Sequence, residues 1–393
     1  MLNKNTGQRM LAYVVTVGDI YPIAGADNIE LASVNGWRVI VKKNEFEPGC
    51  KAIFFEIDSL CPNNDERFAF LEKKHYKIKT MKLSKFNVIS QGLIMPLSMF
   101  PELGDLEVGT DVTETLGITY YVPEDNKRKS NNSGDKYRAM SQRHKNLFKK
   151  KPFRWLMRRE WGRKLLFTFF GKKKDKPKSF PTGFPYVHKT DEERVENMPY
   201  ILENKNPFVV TEKLDGTSCT YILERKMFGK FEFYVSSRNV RQLTPEQDCY
   251  HESNIYWELA KKYDIENKLK KVLIERPELK YICIQGEGVG SVQGNPLKLE
   301  ENDLYVFNLI TSDIGRWGSV EGAIFAETFL GMKWVPILDE NFILPDDLEE
   351  FKVYADGKSA VNPDVLREGV VLRDKEGKIS FKNVSRKYLL KHE

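Results

Sequence analysis

The sequence predicts an α+β chain: a small β-barrel at the N-terminus, then a larger domain of antiparallel sheets with flanking helices. Three observations carry that expectation. Short β-patterned runs separated by turn residues fill the first 121 positions, a spacing that suits a small barrel or sandwich. From near Pro181, strand-like runs interleave with helical stretches, the pattern of an α+β domain. Between them, residues 126–179 hold 20 Lys/Arg against three acids, Asp135, Glu160 and Asp175.

The first module opens with LAYVVTV (11–17), GWRVIVKK (36–43) and KAIFFEI (51–57), broken at Gly36, Pro48-Gly49 and Pro62-Asn63-Asn64. Pro96, Pro101 and Gly104 interrupt its later part, which closes with DVTETLGITYYVP. The expected regions are 1–123, 124–180 and 181–393. In the second, NKRKSNNSGDK reads as a flexible loop, and the following stretch sets Trp155, Leu156, Trp161, Leu165 and Phe169 between arginines. Three readings stand for this basic segment. It is a solvated loop with a short helix docked on the body, an arm whose cations neutralise phosphates and release counterions, or a basic amphipathic helix on a membrane surface. In the third region, Thr190-Asp191-Glu192-Glu193 fits a capping box opening a helix to about Leu202. Strands are expected at FVVTEKL, CTYILE, FEFYVSS, YICIQGE, LYVFNLI, GVVLR and KISFKNV, with helix over Asn254–Val272.

Composition removes several classes. With 41% hydrophobic and 12% aromatic residues, the chain is not wholly disordered. No run approaches the roughly 18 apolar residues of a membrane helix, and no membrane partner is expected. The N-terminus has no apolar h-region, so secretion is not expected. Five scattered cysteines, none in a C-x-x-C pair, read as reduced thiols of a cytoplasmic protein. Five histidines without H-x-H or H-E-x-x-H argue against a histidine-built metal site. The net charge of +6 conceals a segment at +17 on a body at −11, which points to a polyanionic partner.

Five stretches carry the chemistry: TEKLDGTS (211–218), SSRN (236–239), QGEG (285–288), LYVFN (304–308), and REGVVLR (367–373) followed by Ser380-Phe381-Lys382. Lys213 ends an apolar β-run just before Asp215-Gly216, so a rigid strand can project it into a cleft at a tight turn. A lysine near its ordinary pKa of about 10.4 is a poor nucleophile at neutral pH; desolvation, a neighbouring cation or a metal activates it. Asp215 and Glu368 are oxygen donors of the kind Mg²⁺ takes. Arg238 and Lys382 can clamp phosphate oxygens, and Phe307 offers a flat face for a base. There is no G-x-x-x-x-G-K-[ST], which removes the P-loop NTPases, and GEGVGSVQG (286–294) does not open a dinucleotide fold.

In their order these stretches resemble motifs I, Ia, III, IIIa, IV and V of the covalent nucleotidyltransferases, the superfamily of polynucleotide ligases and capping enzymes. The likeness implies that Lys213 attacks the α-phosphorus of ATP to form a lysyl-adenylate, with Mg²⁺ or Mn²⁺ as the metal. It implies that Glu212 contacts the adenine amine, Phe307 stacks on the ring, and Arg238 and Glu287 hold the ribose and its neighbouring phosphate. Asp215 and Glu368 would steady the metal through its waters, and Lys382 would hold the α-phosphate. Many members carry a second motif V lysine two places on, where this chain has Val384. Lys378 falls on the same side by period-2 counting and is the candidate substitute, beside the alternative of an exposed surface lysine.

Domain order narrows the resemblance. The chain runs only 11 residues past Lys382, so no OB module is expected there. At the N-terminus, DIYPI (19–23), GAD (25–27), SQGL (90–93) and DVTETLGI (111–118) are similar to the OB module of family 5 ATP-dependent RNA ligases. That family seals nicks whose 3′-OH end is RNA. The resemblance implies an RNA ligase acting on nicked duplex RNA or RNA–DNA hybrid in RNA repair, with no stable protein partner. The alternatives are a DNA or broad-specificity nick ligase and a non-catalytic nucleic-acid-binding protein.

Overall fold

The computed structural model describes residues 1–3, 7–121, 153, 156, 187, 191–242, 244 and 254–392. The basic segment, apart from Phe153 and Leu156, lies outside them, as does Thr190 of the expected capping box. Contacts divide the chain into two compact units. One comprises Met1–Pro123, Glu192–Leu214 and Pro336–Glu393, the other Glu124–Asp191 and Asp215–Val335.

The N-terminal module holds β1 (Ala12–Thr16), β2 (Ile20–Pro22), β3 (Ile29–Val34), β4 (Trp37–Lys42), β5 (Lys51–Phe55), β6 (Ser59–Leu60), β7 (Met81–Leu83), β8 (Val88–Ser90), β9 (Leu93–Pro96) and β10 (Thr119–Tyr120). They pair as β1–β5–β9, β2–β3–β4, β7–β8 and β6–β10. Its central strands are buried on both faces, which is why their sequences are continuous apolar runs and not alternating ones. Tyr13 and Val15 of β1 and Ala52 and Phe54 of β5 join one cluster around Trp37. The intervening Ala12, Val14, Ile53 and Phe55 join a second around Phe68 and Phe100. Phe54 is the hinge of the first cluster, edge-on to Tyr13 at 5.6 Å and stacked near Trp37 at 6.3 Å between centroids.

The later strands are β11 (Glu193–Arg194), β12 (Phe208–Lys213), β13 (Thr217–Arg225), β14 (Phe231–Ser237), β15 (Tyr281–Val289), β16 (Asp303–Thr311), β17 (Gly315–Arg316), β18 (Lys333–Trp334), β19 (Ile337–Phe342), β20 (Gly369–Asp374) and β21 (Ser380–Val384). The helices are α1 (Ile255–Lys262), α2 (Ile265–Glu275), α3 (Ser319–Thr328), α4 (Leu348–Tyr354) and α5 (Arg386–His392). In the first unit a five-stranded sheet runs β11–β21–β20–β12–β19. Its core face carries Phe208, Val210, Val370, Leu372 and Phe381 against Phe351 of α4. In the second unit the order is β14–β13–β15–β16–β17, with β18 parallel to β16.

Every strand expected after residue 207 forms. The helix expected to about Leu202 does not. Glu193–Arg194 pair as a strand, followed by 3₁₀ turns at Val195–Asn197 and Pro199–Glu203. Pro199 cannot donate within an α-helix, and Val195, Met198 and Ile201 all enter the core, a spacing of three that matches a 3₁₀ repeat. The helix expected over Asn254–Val272 forms as two. The Asn254 side chain caps α1 by accepting from Tyr256 N at 3.1 Å, and Asp264, at φ 49°, breaks the run before α2.

The N-terminal module is joined to the five-stranded sheet by a charged clamp. Arg38 of β4 and Arg386 of α5 each approach Glu349 of α4 to 2.8 Å, and Arg386 also donates to the Gly36 carbonyl at 2.8 Å. Burial alone would raise the Glu349 pKa, but Arg386 and Arg38 outweigh it and hold the carboxyl below its ordinary value. A depressed carboxyl stabilises the fold above its unfolded pKa of about 4.3, and that contribution disappears as pH falls through the folded value. Glu349→Gln should therefore melt below the wild type at pH 6, with the gap closing on acidification below about pH 4. Thermal melts of both proteins across this range test it; a gap independent of pH would contradict the clamp.

Candidate active site

Lys213, Glu212, Glu368, Lys382 and Lys378 belong to the first unit; Asp215, Arg238, Glu287 and Phe307 belong to the second. In the first, strand register decides what meets. Thr211 pairs with Val371 and Val371 with Lys382; Lys213 pairs with Gly369 and Gly369 with Val384. Residues in one row, and in rows two apart, share a face. Lys213 and Lys382 therefore project from the same side of the sheet, opposite the Phe208–Phe351 core. Glu368, just before β20, puts Oε2 2.6 Å from Lys213 Nζ, with the two side chains 27% and 18% exposed. Gly369 is required beside it, because a Cβ there would collide with the Asn383 carbonyl on β21.

Glu212, one residue from Lys213, points to the other face and is buried. Its Oε2 accepts from Ala360 N at 2.7 Å, while Oε1 makes no hydrogen bond. Burial raises its pKa, against the lowering effect of Ser359, Ala360 and Arg367. The Ser359–Ala360 support was not legible in the sequence, since it lies almost 150 residues from Glu212 with no shared motif. Lys378 is not on the strand that period-2 counting assumed. β21 begins at Ser380, and Lys378 sits in the β20–β21 turn with its amine 2.5 Å from Glu376. The turn ends the alternation, so Lys378 takes no place on the Lys382 face.

In the second unit, Gly216 follows Asp215 because a Cβ there would strike the Gly288 carbonyl of β15. Glu287 lies opposite Ser218 on β13 and Tyr305 on β16. The register then slips: Gln285 faces Asn308 and Gly286 faces Val306. Phe307 is thus the extra residue of a β-bulge, a device that re-aims a side chain. A buried polar ladder runs beside it, with Asn308 Nδ2 donating to Gln285 Oε1 at 2.8 Å and Gln285 Nε2 to Thr220 Oγ1 at 3.3 Å. Sequence reading missed this ladder; three polar residues inside apolar strand runs were its signal. Arg238, exposed just past β14, forms an ion pair with Asp191.

Among the described residues no group of three His, Cys, Asp or Glu side chains forms a ready-made metal cage. Asp215 in the second unit and Glu368 in the first are each hard oxygen donors of the kind a hydrated divalent cation accepts. Among the described residues no helix is long and apolar enough to cross a membrane.

Fold and site together define a nucleotidyltransferase-type ligase with an N-terminal OB-fold module. A family model described as RNA ligase matches residues 206–391, and an OB-fold domain model matches residues 11–97. Among solved structures, Naegleria gruberi RNA ligase with PPi is 32% identical, with 98% of this chain and 99% of that one covered and a TM-score of 0.64. A mutant of the same ligase with ATP and Mn is 31% identical over 98% of this chain and 99% of that one, at a TM-score of 0.65. Another mutant, with AMP and Mn, is 31% identical over the same shares, at 0.66. No curated protein sequence matches the chain. The chain belongs to the ATP-dependent RNA ligase family.

Proposed function

We propose that this RNA ligase seals 3′-OH/5′-phosphate nicks in duplex RNA or RNA–DNA hybrid through a covalent lysyl-AMP, in RNA repair. The observation that carries the reading is the shared sheet face of Lys213 and Lys382, with the Glu368 carboxylate 2.6 Å from the Lys213 amine. The solved Naegleria structures with PPi, with ATP and Mn, and with AMP and Mn support ATP and a divalent metal as its cosubstrate and cofactor.

Lys213 Nζ, once deprotonated, forms a bond to the α-phosphorus while the α–β bridging P–O bond breaks and pyrophosphate leaves. A 5′-phosphate oxygen then attacks the same phosphorus, the P–N bond breaks, and the lysine regains its proton. Finally the 3′-OH attacks the 5′-phosphorus and AMP departs. Glu368 holds the amine in place before reaction. Asp215 and Glu368 are each carboxylates that would hold a hydrated divalent cation, whose charge would neutralise phosphate charge as it grows. Lys382 adds a cation where negative charge grows. Phe307 offers a stacking face, and Arg238 and Glu287 the ribose and phosphate contacts.

Sealing of nicked duplexes carrying an RNA or a DNA 3′ end, each with ATP and Mg²⁺ or Mn²⁺, tests the reading. RNA 3′-OH nicks should be sealed at least tenfold faster. Equal rates would make the protein a broad-specificity nick ligase, and joining of single strands alone would remove the nick-sealing role.

A further inference from the structure

The N-terminal module carries a charge concentration that the reaction above does not use. From Lys73 to Pro101 there are six lysines and no aspartate or glutamate. Lys77 is engaged, 3.2 Å from Asp58 and 3.7 Å from the centre of the Tyr121 ring. Among the described residues no carboxylate lies within ion-pair distance of Lys79, Lys82 or Lys85. These three follow one hairpin. Lys79 leads into β7, Lys82 is its middle residue, and Lys85 sits in the turn closed by Phe86 N donating to the Leu83 carbonyl at 3.0 Å. The Lys85 amine lies 4.9 Å from the centre of the half-buried Phe86 ring.

The hairpin's position gives these charges a direction. Lys82 pairs in register with Ile89 of β8, and Ile89 packs on Val384 and Leu389. Val384 is two residues past Lys382 on β21 and stands in the same row as Lys213. One apolar contact, Ile89 on Val384, therefore joins the lysine hairpin to the sheet face that carries Lys213 and Lys382. Lysines three residues apart along a hairpin repel one another unless a polyanion lies across them. A phosphodiester chain suits such flexible point charges, whose counterions are released on contact. The aromatic face beside Lys85 and the continuity with the Lys213 face favour a nucleic acid over an acidic protein surface.

We propose that the β7–β8 hairpin is a docking surface for the RNA phosphate backbone flanking the end to be joined, contacted through Lys79, Lys82 and Lys85. The proposal rests on the RNA ligase reading and deepens it by saying where the substrate backbone runs.

The test uses the full chain with Lys79, Lys82 and Lys85 all changed to Gln, beside a variant with all three changed to Arg. Two quantities are read separately: the mass gain of one AMP with ATP and Mg²⁺, and the affinity for a nicked RNA duplex across a salt series. The Gln variant should take up AMP as the wild type does and bind duplex at least tenfold more weakly. Its slope of log affinity against log salt should be shallower by about 2 to 3, roughly one per lost phosphate contact. The Arg variant should keep both properties. An unchanged affinity and slope in the Gln variant overturns the proposal, as does loss of AMP uptake with loss of binding, or an Arg variant as weak as the Gln one. A wild type that binds duplex but takes up no AMP refutes the lysyl-AMP reading and leaves the hairpin's role intact.

Discussion

Lys213→Ala should gain no AMP after incubation with ATP and a divalent metal, while the wild type gains one. The loss should exceed a thousandfold in adenylylation rate, because the substitution removes the atom that forms the bond and no neighbour replaces it. Lys382 shares the sheet face but lies two rows away on the second strand over, and in the proposed reaction its ammonium holds phosphate. Lys213→Ala should also leave the melting temperature nearly unchanged, since the side chain is 27% exposed and its partner Glu368 can take up water. Intact-mass spectrometry of both proteins, with a thermal melt beside it, is the measurement. A Lys213→Ala protein that still carries AMP would move the nucleophile elsewhere and end the present assignment. A substituted protein that seals a nick already carrying AMP on its 5′ end would restrict the lysine to the first two steps.

The second large effect concerns stability. Lys352 of α4 and Glu196 of the first 3₁₀ turn are both buried, at 2% and 1% exposure, with Nζ 2.7 Å from Oε1. Nζ also donates to the Val384 carbonyl at 3.0 Å, at the end of the strand that carries Lys382. Burial pushes the Lys352 amine below its ordinary value. Burial alone would raise the Glu196 pKa, but Lys352 and Arg194 outweigh it and keep the carboxyl ionised. Lys352→Met would leave that carboxylate buried without its partner, at a cost of about 3–5 kcal/mol. Replacing both, as Lys352→Met with Glu196→Leu, should recover most of the loss, since an apolar pair of similar volume is often neutral or better. Urea unfolding of the three proteins, followed by far-UV circular dichroism, reads the difference. A single-variant loss below about 1 kcal/mol would mean that water reaches the pair. No recovery in the double variant would assign the effect to packing around α4 instead of charge.

The ion pair also shows what a linear reading overlooks. Glu196 falls in the stretch that reads as a capped helix, where an acidic residue in the first turn needs no special explanation. Its role emerges only when Lys352, from a helix more than 150 residues later, comes to lie above it. The same holds for Glu212. Its place beside Lys213 suggested a neighbour on the site, yet alternation along β12 turns it to the other face, against Ala360. Lys378 failed for the complementary reason. Counting by twos was sound, but the strand started too late for the count to reach it.

What the sequence by itself determined was local: the strands, because period-2 patterning and turn residues act over a few positions, and the order of the chemical motifs, because each is contiguous. It also determined the family, since those motifs and the text of the N-terminal module stand in a characteristic order along one chain. The tertiary structure alone decided which motifs share a face. That Lys382 and Lys213 project together depends on β20 pairing with both β12 and β21, and the sequence separation between those strands leaves no local trace of it. It likewise decided the bulge at Phe307 and the contact of Ile89 on Val384 that sets a lysine hairpin beside the sheet face of Lys213. Register and long-range burial are properties of paired strands, and a single strand read alone does not contain its partner.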